Sequence, residues 1–202
     1  MIALEKFLPE LRYEFQDLPD ELFKFSLVRA ARTMARSGDV DVRRAHIQAE
    51  PCVTRYAIHP PLDYELVKII SASTESKSLN LVRHKPKSWN VYAHETVIWY
   101  DDLECILQIR NIHCPTTIHL NITVCPPDNT CELPFIYYDQ YLELLTMGVK
   151  ANLLRMLNKP WTNLQLAMVY DRAFQQGINE LTVDAHMHKT KGIVKMDFGR
   201  VL

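Results

Sequence analysis

The sequence predicts an α+β protein: a helical hairpin or bundle with an inserted small antiparallel β domain and an extended C-terminal arm. Three observations predict it. Residues 1–38 and 134–181 repeat apolar side chains at helical spacing. Residues 40–135 instead hold short runs rich in β-branched and aromatic residues, punctuated by proline. The stretch from about Thr182 to Leu202 has no sustained period and carries Lys189, Lys191, Lys195 and Arg200. The expected division is 1–38 with 134–181 as the helical domain, 39–133 as the β domain, and 182–202 as the arm.

Each element has its own signal. Asp17-Leu-Pro-Asp-Glu supplies a candidate N-cap at Asp17, a proline in the first turn, and the acids Asp20 and Glu21 at the positive helix end. Leu22, Phe25, Val28, Ala31 and Met34 continue at helical spacing, and Gly38 stands where a left-handed residue closes a helix. Six strands are expected within 53–59, 66–70, 79–83, 96–100, 105–110 and 118–124, with Asp101-Asp102 as the tightest turn. In the last run Ile118, Leu120, Ile122 and Val124 fall on one face. Short strands spaced this way suggest an antiparallel sandwich or barrel-like sheet. Tyr138, Leu142, Leu145, Val149, Leu153 and Met156 form the next helical stripe, broken by Lys159-Pro160-Trp161. Thr162-Asn-Leu-Gln165 reads as a capping box, with Trp161 placed to staple onto Leu166. Leu164, Ala167, Met168, Phe174, Ile178 and Leu181 form the second stripe, so the two helices should pack as an antiparallel hairpin. Gly148 and Ala151, facing Ala167 and Ala173, permit a close approach.

Composition excludes several function classes. The five glycines among 202 residues stand too far apart to write a dinucleotide loop, a P-loop or a nucleophile elbow. Lys plus Arg is 23 against 24 for Asp plus Glu, a net charge of −1, so no general attraction to nucleic acid or membranes follows. The first ten residues are charged by Glu5 and broken by Pro9, unlike a secretory leader, and no apolar run is long enough to span a bilayer. Cys52, Cys105, Cys114, Cys125 and Cys131 are an odd number, expected as free thiols of a protein made in a reducing cytosol.

Candidate chemistry is thin. His113, Cys114, His119, Cys125 and Cys131 bring nitrogen and sulfur ligands close in sequence, but lack the short Cys-x-x-Cys spacing of zinc sites. Buried or edge thiols with surface histidines explain them as well. His186-Met-His188 suggests a chelating pair, with Asp184 the nearest third ligand. The acids Asp101, Asp102, Asp139, Glu143 and Asp171 lie in a turn or beside apolar stripes, where solvated carboxylates are ordinary. No catalytic residue, cofactor site or metal site is assigned, and the protein is not expected to be an enzyme. Arg29, Arg32 and Arg36 make one helix flank cationic, with Lys24, Arg43 and Arg44 nearby in sequence. That flank suits phosphate, an acidic partner or plain solvent.

The order of segments resembles the head-to-tail adaptor (connector) proteins of tailed bacteriophages. Phe7-Leu8-Pro9 is followed by Leu18-Pro19-Asp20 entering a helix with Val28-Arg29-Ala30-Ala31. After the β insert come Leu133-Pro134, Gly148-Val-Lys-Ala-Asn-Leu-Leu-Arg-Met-Leu, Lys159-Pro160-Trp161-Thr-Asn and Ala167-Met-Val-Tyr170-Asp-Arg-Ala-Phe174. The likeness covers about 1–181 and is most specific over 133–174. It departs where many relatives carry an early acidic residue in the last helix and this chain has Leu164-Gln165.

The resemblance implies a mechanical role. Such adaptors are virion structural proteins, made in the host cytoplasm, that form a ring in the neck of the tail, usually of twelve subunits. The ring joins the capsid portal to the tail nozzle or tail tube, and DNA passes through its lumen during ejection without sequence-specific binding. No membrane is involved. The implied portal-binding arm carries Met187, Lys189, Lys191, Ile193, Lys195, Met196, Phe198 and Arg200. The implied ring-packing residues are Leu145, Val149, Leu153, Leu164, Met168 and Phe174. A tail-completion or nozzle component is the alternative in the same field, and a metal-dependent hydrolase using His186, His188 and the His113/Cys114 cluster is the enzymatic one. A nucleic-acid-binding module is a further alternative.

Overall fold

The computed structural model of the chain describes residues 1–15, 18–58, 60, 64–82, 96–101 and 106–191. In chain order the elements are β1 (Ile2–Ala3), a 3₁₀ turn (Leu4–Phe7), α1 (Leu8–Arg12), α2 (Asp20–Gly38), β2 (Val42–Ala49), β3 (Arg55–Ala57), β4 (Glu65–Ser73), β5 (Asn80–Val82), β6 (Val97–Asp101), β7 (Ile106–Arg110), β8 (Thr116–Cys125), β9 (Glu132–Leu133), α3 (Phe135–Asp139), α4 (Leu142–Leu154) and α5 (Leu164–Lys191). This is a mixed α+β architecture with several helices and antiparallel sheets. Two compact units result: Met1–Val40 with Asp128–Leu202, and Asp41–Pro127.

In the helical unit the first strand β1 pairs antiparallel with β9, so a short ladder, not helix alone, holds the N-terminus. Helix α2 buries Phe23, Leu27, Ala30, Ala31 and Met34 at the i, i+4, i+7, i+8, i+11 spacing of a core-facing helix. The expected stripe therefore holds at Val28, Ala31 and Met34 but not at Phe25, which is exposed because the buried face is centred on Phe23 and Leu27. Its start differs from expectation. Pro19 is the N-cap and gives no side-chain hydrogen bond, while Asp17 lies outside the described residues. Its end differs too: Asp39, at φ 54° and ψ 37°, takes the left-handed position, which Asp tolerates better than most residues. Gly38 stays helical, where an added Cβ would stand 3.5 Å from Leu181 Cδ1.

Helices α4 and α5 form the expected antiparallel hairpin, with Gly148 under the Phe174 ring, Gly177 under Leu144, and Arg155 bonded to Asp171 at 3.0 Å. The cap of α5 is one residue later than the capping box suggests. Asn163 Oδ1 accepts the Leu166 N–H at 3.0 Å. Thr162 works in the turn instead: its Oγ1 accepts the Lys159 N–H and donates to the Met156 carbonyl. That shift moves the staple position from Leu166 to the buried Ala167. The largest correction concerns the arm. Helix α5 continues to Lys191, and Thr182 Oγ1 donates to the Ser37 carbonyl at 2.9 Å. Residues 182–191 are therefore helix, not extended chain. They lack a sustained apolar period, and α4 is too short to run beside them. Residues 192–202 lie outside the described residues.

The β unit holds a sheet ordered β2-β8-β4 and a second ordered β3-β7-β6-β5. Among the described residues the pairings are antiparallel except β5 with β6, a departure from the all-antiparallel expectation. Ile118, Leu120, Ile122 and Val124 of β8 point into a core shared with Ile69, Ile98, Leu107 and Ile109. Strand β2 was not expected at all. Its Val-Arg-Arg-Ala-His-Ile-Gln-Ala run has few β-branched residues, yet it alternates exposed and covered along its length and pairs with β8 over eight positions. Of the expected Asp101-Asp102 turn, Asp101 is the last residue of β6, opposite Ile106, and Asp102 lies outside the described residues.

Candidate functional site

The six expected ring-packing residues separate into two groups. Leu145, Val149, Leu153 and Phe174 are buried in the subunit's own core, between α2, α4 and α5. Leu164 and Met168 are 50% and 66% exposed. They stand one helical turn apart on α5; Leu166, Val169 and Val183 are also exposed on α5, at other angles round the helix. The preceding loop adds the exposed Leu157. Amphipathic spacing alone places all six on stripes; only the packing shows which stripe residues the subunit covers itself.

Length adds to this. At 1.5 Å per residue, the 28-residue α5 runs about 42 Å, whereas the 13-residue α4 runs about 20 Å. Roughly half of α5 therefore has no α4 beside it. Of the expected arm residues, Met187, Lys189 and Lys191 lie on the α5 backbone, while Ile193, Lys195, Met196, Phe198 and Arg200 lie outside the described residues.

The cationic flank of α2 is present but is not uniformly cationic. Arg29 and Arg36 are exposed, whereas the Arg32 side chain is 8% exposed and its Nε meets Asp128 Oδ1 at 2.7 Å. With Phe25, Val28 and Thr33 these residues line a shallow cleft of about 360 Å³. In the β unit Arg43 grips Asp41 through two 3.0 Å bonds and lies 3.9 Å over the Tyr64 ring. Burial works against its charge, but Asp41 and Tyr64 outweigh that and hold its pKa above the ordinary arginine value.

A second cleft, of about 510 Å³, lies between α3, the start of α4 and α5, where Tyr138, Asp139, Glu143, Lys150 and Tyr170 meet. Lys150 bonds Glu14 and lies 5.3 Å from the Tyr170 ring centroid, so its ammonium is committed within the subunit. The acids Asp139 and Glu143 are exposed at its rim.

The sulfur and nitrogen cluster does not assemble. Cys114 and Cys131 are exposed, Cys125 is buried with its thiol on the Pro126 carbonyl, and Cys105 lies outside the described residues. His113 and His119 are exposed. Among the described residues no group of three His, Cys, Asp or Glu side chains is placed to hold a metal. His186 and His188 lie on the α5 backbone, and Asp184 with them. No helix among the described residues is long and apolar enough to cross a membrane.

No protein-family model matches this chain, and no curated protein sequence matches it. The functional reading therefore stands on residues and geometry. One of them the sequence did not bring forward: His46, on the unexpected strand β2, stands directly opposite His119. Register is the only signal that pairs them, and register cannot be read from two strands of which one was not recognised.

Proposed function

We propose that the chain is the subunit of a head-to-tail adaptor ring that joins a phage portal to the tail. The observation that carries this reading is the group of exposed apolar side chains on the first two turns of α5, Leu164, Met168 and Val169. Several large apolar side chains left exposed on the first two turns of one helix suit a protein-binding face. Repetition of one such contact between identical subunits closes a ring when the rotation between neighbours divides a full turn. The order of elements also supports it, since helices α2 and α4–α5 flank an inserted β unit, as in the adaptors the sequence resembles.

On this reading the α5 face packs against the neighbouring subunit. Residues 192–202, with Ile193, Met196 and Phe198 as apolar anchors and Lys195 and Arg200 as a polar rim, engage the portal together with the end of α5. Loops of the β unit meet the tail nozzle or tube. The fitting test removes residues 192–202, leaving α5 and its Thr182–Ser37 tie intact. Co-sedimentation with the portal should be lost while the fold, by circular dichroism, is kept. Undiminished portal binding would sink the arm assignment, and binding to tail protein alone would favour a tail-completion component.

A further inference from the structure

Two histidines face each other across the β2–β8 pair. In the antiparallel register His46 stands opposite His119, Arg44 opposite Asn121 and Gln48 opposite Thr117. Paired positions project their side chains from the same face of a sheet. Here that is the outer face, because the intervening Ala45, Ile47, Ile118 and Leu120 pack into the β core while both histidines are exposed. Neither imidazole has a hydrogen-bonding or ionic partner among the described residues. Ser73 of β4 stands on the far side of His119.

The spacing suits chelation. Directly opposed residues hold their Cβ atoms about 4.5–5.5 Å apart. A tetrahedral ion with metal–nitrogen bonds of about 2.0–2.1 Å needs two nitrogens roughly 3.3 Å apart. Two imidazoles rising from such Cβ positions reach that separation by converging slightly. We propose that His46 and His119 form a two-nitrogen site for a divalent transition-metal ion of the zinc, nickel or copper class, with water completing the shell. Imidazole is a borderline-soft donor that suits these ions, whereas magnesium and calcium demand oxygen. A bound ion ties β2, an edge strand among those described, to the central strand β8. It stabilises the folded β unit because the two ligands come together only in the fold. Arg44, two residues before His46 on the same face, opposes the incoming charge.

The test uses the full chain, free of any histidine tag and stripped with chelator, titrated with ZnCl₂, NiCl₂ or CuCl₂ by calorimetry and thermal unfolding. One ion per β unit should bind and raise the unfolding temperature, with copper tightest and MgCl₂ without effect. His46→Gln and His119→Gln should each weaken binding at this site by at least about tenfold, and Arg44→Gln should tighten it by about threefold. Copper should broaden amide NMR signals of β2 and β8 in the wild type and not in His119→Gln. That spectrum also reports whether the variant is folded. Binding that survives both histidine substitutions, or broadening confined to residues near His186 and His188, would overturn the assignment. Neither result bears on the ring.

Discussion

The helical unit closes around aromatic side chains and still leaves apolar ones outside; the β unit closes around aliphatic ones and leaves almost none. Tyr137, Phe7 and Phe23 are the largest fully buried residues of the first, against Ile98, Leu107, Ile118 and Leu120 in the second. On the surface the helical unit shows Phe25, Phe135, Leu157, Leu164, Met168 and Val169, whereas only Val42 and Val53 stand out among the described β residues. The β unit instead turns a polar row outward, Arg44, His46 and Gln48 beside Asn121, His119 and Thr117. Burial of apolar area drives association as it drives folding. A unit with apolar surface to spare is the one expected to pack against copies of itself, and a polar-faced one is suited to wet or ionic contacts.

Core truncation should separate the two units most sharply. Phe23→Ala, or Tyr137→Ala with loss of its hydrogen bond to the Ala31 carbonyl, should destabilise the helical unit by about 3–5 kcal/mol. Leu120→Ala should cost the β unit about 2–5 kcal/mol. Amide exchange should place each loss in its own unit; a uniform loss of protection would mean the cores are not separate. The two glycines of the α4–α5 hairpin come next. A Cβ at Gly148 would stand 2.7 Å from Phe174 Cε2, on a buried ring with little room to move. Gly148→Ala should therefore cost about 1–3 kcal/mol despite the better helix propensity of alanine. At Gly177 the obstacle is the end of the half-buried Leu144, which can swing aside. Gly177→Ala should be near neutral in denaturant titration, and equal costs at both sites would contradict the packing described.

Smaller effects test the surface. Met168→Ser with Val169→Ser should change stability by less than about 0.5 kcal/mol each, yet should weaken self-association in sedimentation velocity. The exposed Glu5–Lys24 pair marks the lower limit. Its hydrogen bond holds the Glu5 carboxyl below 4.5 and Lys24 above 10.5. The Glu5 contribution is present above pH 4.5 and fades as pH falls through the folded value, while that of Lys24 is present below pH 10.5 and fades as pH rises through the folded value. Glu5→Gln should barely alter the acid limb of a stability–pH curve.

Much of this architecture was legible in the sequence, for reasons that individual elements make plain. The existence of α2, the α4–α5 break and the inward alternation of β8 each rest on local period, which one sequence carries, whereas the exposed Phe25 shows that period alone did not centre the α2 stripe. Strand β2 was missed because Ala45 and Gln48 weaken its β character, and pairing with β8 overrides that propensity. The continuation of α5 past Thr182 was missed because a helix without a full partner needs no apolar stripe. The fates of Leu145 and Met168 could not be told apart, since both lie on helical stripes and only the neighbours decide which is covered. His46 and His119 needed a register, which is a long-range fact.

In the proposed ring the α5 face carries the contact between subunits. Electron microscopy of the purified protein assembled on its portal tests it most directly. The expected result is a closed ring in which Leu164, Met168 and Val169 of each subunit are buried against the next. A ring held together by the β units, with those three side chains facing solvent, would contradict it.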